Sequence, residues 1–585
     1  ETLMSFLSRI MVLKSRAHFS AGGRGRPSMR GASFEGTRKR KSAQAKNRVG
    51  LLIAGFVAFY GVIGGRLVQY GFAMPEVTSS ILPADRFMAS RPDIVDRNGE
   101  VLATDIRTVS LFAEPHKIVD ADEVIEKLAT VLNDLDVKGT YTKLRSNSHF
   151  QWLRRQLTPK QQSQILALGI PGIGFRPEKR RFYPGGRTAA HLVGYVNIDN
   201  RGVAGMERYI DSQGLADLAA VGMTSDQPLE PVKLSIDLRV QAIVQQVVAE
   251  SIGKYSAIGA GAVVIDVHTG EILGMASAPD FDPNDPNGVD AEKGWMNRMS
   301  NSTFEMGSTF KSFTLAMGLD DGKMNLQSSF DARFPIRIGG FTIKDFHGKG
   351  RVLSVPEIFQ YSSNIGTAKI ADMVGIAGHK DFLTRLGLLS RMKTELPEIA
   401  MPSQPREWKK INSITISFGH GVSTTPLQTA VAGAALVNGG KLVPPTFLPR
   451  TQAEADEIAT QVMKPTTSKD MRFLFEWNGI NGSGRNARVA GFNVGGKTGT
   501  ADKVVNGRYA HDKNFSAFLS AFPMDNPRYV VLSFSDEPKT DKGNGAALAA
   551  MSAAPMVKEI IARSAPILGV KPKFGNDGSA LLVSY

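Results

Sequence analysis

Cysteine is absent from the 585 residues of the chain, and tryptophan occurs only four times. Without a thiol, the chain can form neither a disulfide framework nor a cysteine-ligated zinc site, and thiol-based catalysis is excluded. The absence of cysteine fits either side of a membrane, although it spares an exported protein any mispairing in an oxidising compartment. The length predicts two or three folded domains, and the hydrophobic content of 42% argues against large-scale disorder.

Acidic residues are scarce only at the N-terminus. Residues 1–48 contain 12 lysines and arginines against two acids, so this segment carries +10 of the net charge of +15. The basic excess is therefore local, and the remainder of the chain lacks the broad positive surface that nucleic-acid binding requires. We expect no nucleic-acid partner, and we interpret residues 1–48 as a disordered basic tail.

An uncharged apolar segment follows this tail. Residues 49–65 contain no charge, and as a helix they would measure roughly 25 Å, close to the thickness of the hydrocarbon core. Six basic residues precede the segment between Arg38 and Arg48, whereas residues 67–85 contain none. This asymmetry predicts a single-pass transmembrane anchor at residues 49–70 in the bacterial inner membrane, with the N-terminus in the cytoplasm and the rest in the periplasm. A buried core helix and a cleaved signal peptide are the alternatives.

Beyond the anchor, the sequence divides into two regions. Residues 71–235 mix short strands and helices, and Asn98-Gly99 predicts a β-hairpin within residues 91–103. Residues 236–565 have an α/β pattern in which hairpins at residues 261–276 and 515–534 flank a mostly helical middle. The two hairpins predict one antiparallel sheet covered by helices, an α/β (α+β) fold. Residues 566–585 form a C-terminal tail.

Three short motifs in the second region carry candidate chemistry. Ser308-Thr-Phe-Lys311 places a hydroxyl and an amine three residues apart, on one face of a helix. The same spacing occurs at Ser251–Lys254 and Ser390–Lys393, which we interpret as solvent-facing helix residues. Ser362-Ser-Asn364 and Lys497-Thr498-Gly499-Thr500 follow Ser308 along the chain.

The residue types suit nucleophilic catalysis by serine. A serine hydroxyl needs an adjacent base, and Lys311 can act as that base only if its surroundings keep it neutral. A second lysine, Lys497, would lower the pKa of Lys311 and attract a carboxylate. Gly499 in an edge strand allows a substrate backbone to approach closely, and the N–H groups of Ser308 and Thr500 are candidates for an oxyanion hole.

This motif set, in this order, resembles that of class B penicillin-binding proteins, most of all their cell-division (FtsI-type) branch. Further resemblances are Arg91–Ala103, Arg181–Asn197 and Asp199–Glu207 in the first region and Phe418–Gln428 in the second. Met306 departs from the family, which usually has proline there. The resemblance implies a single N-terminal transmembrane helix, an elongated non-catalytic pedestal (71–235) and a serine β-lactamase-like transpeptidase domain (236–565).

The resemblance also implies a function, namely D,D-transpeptidation of peptidoglycan stem peptides ending in D-Ala-D-Ala during septal wall synthesis, with sensitivity to β-lactams. Ser308 would be the nucleophile and Lys311 its base. Ser362 would relay a proton and Asn364 would bind a substrate amide. Lys497, Thr498 and Thr500 would bind the terminal carboxylate beside Gly499. The family needs no metal or organic cofactor, and its division branch works with a membrane-embedded glycan polymerase and other division proteins.

Three alternatives remain open. An elongation-type transpeptidase of the same family is one, although the short run at residues 199–207, the long basic tail and the modest length fit the division branch better. A β-lactamase shares the serine and lysines but is typically about half this length, and no Glu-x-x-Leu-Asn lies between Asn364 and Lys497. A membrane β-lactam sensor or a divisome scaffold would use the pocket only for binding.

Overall fold

The computed structural model describes residues 53–65, 91–214, 229–286, 288, 294–505, 507–540 and 545–574. The predicted basic tail lies outside these residues, as do residues 575–585 of the C-terminal tail. Of the predicted anchor, only residues 53–65 are described, and they are helical. No helix in the described part of the chain is both long enough and apolar enough to cross a bilayer. Residues 81–585 form one compact unit.

The N-terminal half of this unit is built on a mixed sheet. Its order is β3-β2-β1-β5, and β4 also pairs with β2. The strands are β1 (Ile94–Val95), β2 (Val101–Ala113), β3 (Gln151–Leu157), β4 (Ile173–Phe182) and β5 (Val232–Lys233). The predicted hairpin is confirmed, since β1 and β2 pair antiparallel with Ile94 opposite Ala103. Asp96 closes the turn by accepting hydrogen bonds from the N–H groups of Asn98 and Glu100.

Short helices accompany this sheet. They are α1 (Ala121–Ala129), α2 (Val137–Leu144), α3 (Pro159–Ala167), α4 (Ala190–Val193) and α5 (Gly205–Ser212), and Pro115–Lys117 forms a 3-10 turn. Side chains that precede the helices satisfy their first N–H groups: Asp120 accepts from those of α1, and Thr158 forms a capping box with Gln161. Leu111, Leu128 and Leu153 belong to the core beneath α1.

A buried ion-pair network joins the ends of this half. Arg91 donates to Glu207 Oε2 at 2.9 Å, and Arg181 donates to Glu207 Oε1 at 2.6 Å. The side chains of Arg181 and Glu207 are fully buried. Because Arg91 and Glu207 are 116 positions apart, this network holds together the segments that the sequence singled out as pedestal motifs.

The C-terminal half contains a five-stranded sheet of order β14-β15-β16-β6-β7. Its strands are β6 (Gly259–Asp266), β7 (Ile272–Ala278), β14 (Gly495–Val505), β15 (Arg508–Phe522) and β16 (Tyr529–Asp536). All neighbours are antiparallel. The predicted union of the two distant hairpins is confirmed, because β16 pairs with β6 from Tyr529 opposite Asp266 to Asp536 opposite Gly259. The strand with the Lys-Thr-Gly motif, β14, lies at the edge.

Helices cover both faces of this sheet. They are α6 (Leu238–Tyr255), α7 (Lys311–Asp321), α8 (Val355–Tyr361), α9 (Asn364–Val374), α10 (Ile376–Arg385), α11 (Lys410–Ile416), α12 (Pro426–Ala435), α13 (Gln452–Ile458), α14 (Pro465–Asn481) and α15 (Ala553–Ser564). The helices α6 and α15 share one core with sheet residues such as Val264 and Val531. The helices α7 and α12 share the other with Val263 and Leu532. Successive residues of these strands thus pack into different cores, as expected for a sheet that is buried on both faces.

Smaller elements complete this half. They are β8 (Ser329–Asp331), β9 (Ile336–Ile338), β10 (Phe341–Ile343), β11 (Val352–Ser354), β12 (Lys441–Leu442), β13 (Thr460–Gln461) and the 3-10 turns Gly307–Phe310 and Ser483–Ala487. The alanine-rich sequence of residues 545–563 predicts a helix, but α15 begins only at Ala553, so the first part of that prediction was wrong. Backbone N–H groups of residues 545–552 are bonded elsewhere: that of Ala547 donates to Pro538 O and that of Ala549 to Thr500 Oγ1.

Candidate active site

The candidate nucleophile lies in a 3-10 turn at the start of a buried helix. Gly307–Phe310 forms the turn, and α7 begins at Lys311. In a 3-10 turn the side chains at positions i and i+3 eclipse, which places Ser308 directly beside Lys311. Ser308 is partly exposed, whereas Lys311 is 1% exposed. The hydroxyl therefore faces the surface of the site and the amine lies beneath it.

Three oxygen atoms converge on the amine of Lys311. Its Nζ donates to Ser362 Oγ at 3.0 Å, to Asn364 Oδ1 at 2.7 Å and to the backbone oxygen of Ser362. The local sequence makes this possible, because α8 ends at Tyr361 and Ser362 adopts a left-handed conformation with φ of 55°. Ser363 then caps α9, which starts at Asn364. The Ser-Ser-Asn motif is thus a helix-to-helix turn whose polar atoms point at Lys311.

Ser308 itself does not contact the amine by a hydrogen bond. In the described residues its hydroxyl has no hydrogen-bond partner, and Lys311 is instead bonded to Ser362 and Asn364. The simplest form of the sequence prediction, a direct bond between Lys311 and Ser308, is therefore absent from this state. The three-residue spacing still places Ser308 on the same face of the turn as Lys311.

The strand β14 presents Lys497 and Gly499 to this turn. A Cβ atom built on Gly499 would lie 2.3 Å from the backbone oxygen of Met306, and one on Gly307 would lie 2.7 Å from Thr500 O. Gly307 also has a positive φ of 53°. Glycine at both positions lets two backbones touch, which fixes the spacing between the Lys-Thr-Gly strand and the nucleophile.

The two threonines of the motif face the other side of β14, because side chains alternate along a strand. Thr498 Oγ1 donates to Ser483 Oγ at 2.5 Å. Thr500 Oγ1 accepts the N–H of Ala549 at 3.1 Å. Both hydroxyls are therefore held by neighbouring segments at the edge of the sheet, where the sequence predicted a carboxylate site.

Both lysines are deeply buried, and burial makes their protonated forms costly. Burial lowers the pKa of Lys497 to about 7. Burial also lowers the pKa of Lys311 well below its ordinary value, and repulsion from Lys497 lowers it further, while attraction to Asp345 opposes the shift. The three oxygens around Lys311 suit an ammonium group, yet desolvation is the larger effect. The lowered pKa of Lys311 favours the neutral amine that a base for Ser308 requires.

Two acidic residues near the nucleophile were missed by the sequence reasoning. Glu305 accepts hydrogen bonds from His420 Nδ1 at 2.9 Å, from the Gly421 N–H at 2.8 Å and from the Tyr509 hydroxyl at 3.2 Å. It ties the loop before the nucleophile to residues of two other segments. Asp345 accepts from Ser363 Oγ and from the Ile365 N–H. Glu305 stands in the stretch before Ser308 that resembles the family, and His420 lies in the resemblance at Phe418–Gln428, but no sequence pattern indicates that the two pair. Asp345 stands in no recognised motif.

The family departure at Met306 leaves the turn intact. Met306 is fully buried, and its backbone oxygen accepts a hydrogen bond from Thr309 Oγ1 at 2.7 Å.

Among the described residues no group of three or more His, Cys, Asp or Glu side chains is placed to hold a metal ion.

The two other Ser-x-x-Lys matches differ from the sequence interpretation. Ser251 is a helix residue but is buried, with its hydroxyl donating to Val248 O. Ser390 and Lys393 are exposed but lie outside a helix. Neither pair meets the other motifs.

Comparison with known proteins places these observations in context. Residues 260–562 match the penicillin binding protein transpeptidase domain, and residues 87–216 match the penicillin-binding protein dimerisation domain. The chain is 40% identical to a probable peptidoglycan D,D-transpeptidase FtsI of Caulobacter vibrioides, covering 83% of this chain and 82% of the relative. It is 30% identical to the peptidoglycan D,D-transpeptidase FtsI of Escherichia coli, covering 80% and 83%. A crystal structure of penicillin binding protein 3 of Mycobacterium tuberculosis, complexed with aztreonam, matches with a TM-score of 0.64 and 25% identity, covering 83% and 97%.

Proposed function

The chain belongs to the penicillin-binding protein transpeptidases, and from this membership we propose that it is a peptidoglycan D,D-transpeptidase that cross-links stem peptides during septal wall synthesis and is a target of β-lactams. The observation that supports the mechanism most directly is the contact of Lys311 Nζ with Ser362 Oγ and Asn364 Oδ1, beside a second buried lysine. The Ser362–Asn364 turn meets the amine of Lys311, and β14 packs against the turn that carries Ser308.

The proposed reaction has two half-reactions. Ser308 Oγ attacks the carbonyl carbon of the penultimate D-alanine of a donor stem, and neutral Lys311 accepts the hydroxyl proton. Ser362, hydrogen-bonded to Lys311, passes that proton to the nitrogen of the leaving D-alanine as its C–N bond breaks. The product is an ester between Ser308 and the shortened donor stem. An amine of a neighbouring stem then attacks the ester, loses its proton to Lys311, and restores the Ser308 hydroxyl.

Binding roles follow from the surroundings of the hydroxyl. The terminal carboxylate of the donor or of a β-lactam would lie at the edge of β14, where the Thr498 hydroxyl would exchange its bond to Ser483 for one to the carboxylate and the Thr500 hydroxyl, which accepts the Ala549 N–H, would donate its proton. Lys497, on the other side of the strand, would attract the carboxylate by its charge. Asn364 would bind a substrate amide through its side chain. Because β14 is an edge strand, one side of it has no neighbouring strand in the sheet, and an extended peptide can lie along that side. The backbone N–H groups of Ser308 and Thr500 would stabilise the oxyanion.

A covalent labelling experiment tests this function. A fluorescent penicillin should acylate the full chain, and peptide mass spectrometry should place the adduct on Ser308. Ser308→Ala and Lys311→Ala should abolish labelling while thermal unfolding remains cooperative, and the control Ser390→Ala should label normally. An adduct at another residue, or labelling of Ser308→Ala, would refute the assignment. Rapid hydrolysis of the adduct would favour a β-lactamase, and growth supported by Ser308→Ala would favour a sensor or scaffold.

We also propose that residues 49–70 anchor the chain in the inner membrane, with the basic tail in the cytoplasm and the catalytic domain in the periplasm. The absence of cysteine allows a direct test. Ser42→Cys and Val119→Cys each introduce one thiol, and Val119 is 98% exposed. In cells with a permeabilised outer membrane, an impermeant maleimide should label the thiol at position 119 and spare that at position 42. The reverse pattern would refute this topology.

The division role is the finer part of the proposal. In the division role the protein acts together with a membrane-embedded glycan polymerase and other division proteins, which it contacts through the anchor and the pedestal. Depletion of the protein should give filaments that elongate without septa. Rounded cells that still divide would instead assign the protein to elongation.

A further inference from the structure

A short arm beside the active site ends in an acidic residue that the mechanism above does not use. The arm consists of β9, β10 and the two residues that follow, Lys344 and Asp345. Ile343 at its end is buried against Ala368 of α9 and Ile414 of α11, so the arm is fixed to the helix that carries Asn364. Asp345 is only partly exposed, and its carboxylate points into the turn between α8 and α9.

Both carboxylate oxygens of Asp345 are engaged by that turn. Oδ2 accepts the Ser363 hydroxyl at 2.8 Å, and Oδ1 accepts the Ile365 N–H at 2.9 Å. Ser363 is 1% exposed, and its Oγ also accepts the Gly366 N–H at 2.9 Å. The middle residue of the Ser-Ser-Asn motif therefore contacts Asp345 while its two neighbours contact Lys311. A shift of Ser363 would move both of those contacts.

The backbone of the arm orients the third residue of the motif. The Asn364 side-chain Nδ2 donates to Lys344 O at 3.0 Å, which turns Asn364 Oδ1 toward Lys311 Nζ. Two consecutive residues of the arm thus hold the side chains of Ser363 and Asn364 and the Ile365 N–H at the start of α9. The hydrogen bonds specify one orientation of the amide, because the reversed amide would set two acceptors against each other.

Charge adds a second role for Asp345. The charged groups that act on Lys311 in the described residues are Lys497, from β14, and Asp345, from the arm, while Ser362 and Asn364 contribute neutral oxygens. Lys497 and burial favour the neutral amine, whereas Asp345 favours the ammonium. A base that is too weak cannot take the proton of a serine hydroxyl, so a nearby carboxylate limits how far burial weakens Lys311.

We propose that Asp345 is a positioning residue of the acylation site: its carboxylate holds the Ser362–Asn364 turn against Lys311, and its charge opposes the effect of Lys497 on Lys311. This inference rests on the proposed serine acylation. It predicts two separable effects, one on the geometry of the turn and one on the strength of the base. Different substitutions isolate them.

Two variants of the full chain separate these effects. Asp345→Asn keeps an acceptor oxygen but removes the charge, while Ser363→Ala removes a bond to the carboxylate but keeps the charge. Asp120→Asn is the matched control, because Asp120 also caps a helix, α1, but lies in the pedestal. The measurement is the second-order rate of acylation by a fluorescent penicillin between pH 5 and 9, with thermal unfolding of each variant alongside.

We expect the acid limb of the Asp345→Asn rate profile to move to lower pH, because Lys311 loses the charge that favours its ammonium form. Its plateau should fall, because the base is weaker. Ser363→Ala should lower the rate by about tenfold or more at every pH, the effect of losing one hydrogen bond to a charged group, without moving the limb. Asp120→Asn should acylate like the wild type.

The results that would overturn the inference are equally distinct. An Asp345→Asn profile equal to that of the wild type, or one lowered with an unmoved acid limb, would reduce Asp345 to a structural residue. If Asp345→Asn does not fold, a normal rate for folded Ser363→Ala would overturn the positioning role. Failure of the proposed function would look different, since the wild type itself would then not be acylated at Ser308.

Discussion

Lys497 offers the sharpest quantitative prediction, because a fully buried lysine should cost the protein stability. Its side chain is 0% exposed, and its Nζ lies 5.8 Å from the centre of the Phe359 ring. The substitution Lys497→Met keeps an unbranched chain of similar volume and places a thioether near that ring, a favourable contact. We expect the variant to lose penicillin labelling and yet to be more stable than the wild type.

The size of the gain follows from the shifted pKa. Burial lowers the pKa of Lys497 from 10.5 to about 7, a difference of about 3.5 units, since 10.5 minus 7 is 3.5. At 1.36 kcal/mol per unit, holding the protonated amine in the folded state costs on the order of 5 kcal/mol. Removing the amine also removes its hydrogen bond to Thr498 O, 3.3 Å long, which offsets the gain by about 1 kcal/mol.

The pH dependence distinguishes this cause from better packing. The folded-state pKa lies below the unfolded one, so below pH 7 both states hold the proton and the full cost is present. Between pH 7 and pH 10.5 only the unfolded state holds it, and wild-type stability rises by about 1.4 kcal/mol per pH unit. The advantage of Lys497→Met should therefore be largest below pH 7 and shrink as the pH rises.

Chemical unfolding of the full chain, followed by fluorescence from pH 6 to pH 9.5, measures this difference. The matched control is Lys441→Met, which removes a half-exposed lysine paired with Asp456 and should change stability little at any of these pH values. A Lys497→Met variant that is no more stable at pH 6.5, or whose advantage is the same at pH 9, would refute the argument from burial.

Two further predictions concern packing in the two halves. Gly499→Ala should destabilise the protein and abolish labelling, because its Cβ would lie 2.3 Å from Met306 O, whereas Gly253→Ala in α6, with open space around the Cβ, should be neutral or stabilise by up to about 1 kcal/mol. Normal labelling of Gly499→Ala would contradict the close contact of β14 with the nucleophile turn. Glu207→Gln should cost about 1–3 kcal/mol, because it removes the fully buried carboxylate that Arg91 and Arg181 share and leaves them paired only with Asp211 and Asp105. The exposed Glu123→Gln is its control, and equal melting temperatures for the two would refute the network's importance.

The sequence was sufficient to predict those features that depend on local patterns. Short apolar runs on each side of a turn predicted the hairpin of β6 and β7 and that of β15 and β16, and their antiparallel union is confirmed. The Ser-x-x-Lys, Ser-x-Asn and Lys-Thr-Gly motifs predicted that Lys311, Ser362 and Asn364 meet beside Lys497. Roles assigned to these residues, and the domain boundaries, remain predictions.

Features that depend on long-range partners could not be predicted. Glu305 and His420 are 115 positions apart, and nothing in the sequence around either specifies the other. Asp345 stands in an ordinary turn-rich segment, and only the folded arm brings it to Ser363. The start of α15 was placed too early because alanine content favours a helix, whereas N–H groups of residues 545–552 bond to other segments. At such positions the hydrogen bonds to other segments outweigh the local helix propensity.

The engagement of the nearby carboxylates bears on whether this site transfers or hydrolyses an acyl group. A hydrolase must activate water beside the serine ester, and a free carboxylate is a suitable base for that step. Glu305 accepts bonds from His420, Gly421 and Tyr509, and Asp345 accepts bonds from Ser363 and Ile365. Each bond holds a carboxylate oxygen in place and occupies it, so that it is less free to bind a water beside the ester. In the proposed reaction Lys311 then remains the base beside the ester. Because it has released its proton through Ser362 in the first half-reaction, it can accept a proton from an incoming amine. A slow-hydrolysing acyl-enzyme is the expected consequence, and this is the property that separates a transpeptidase from a β-lactamase.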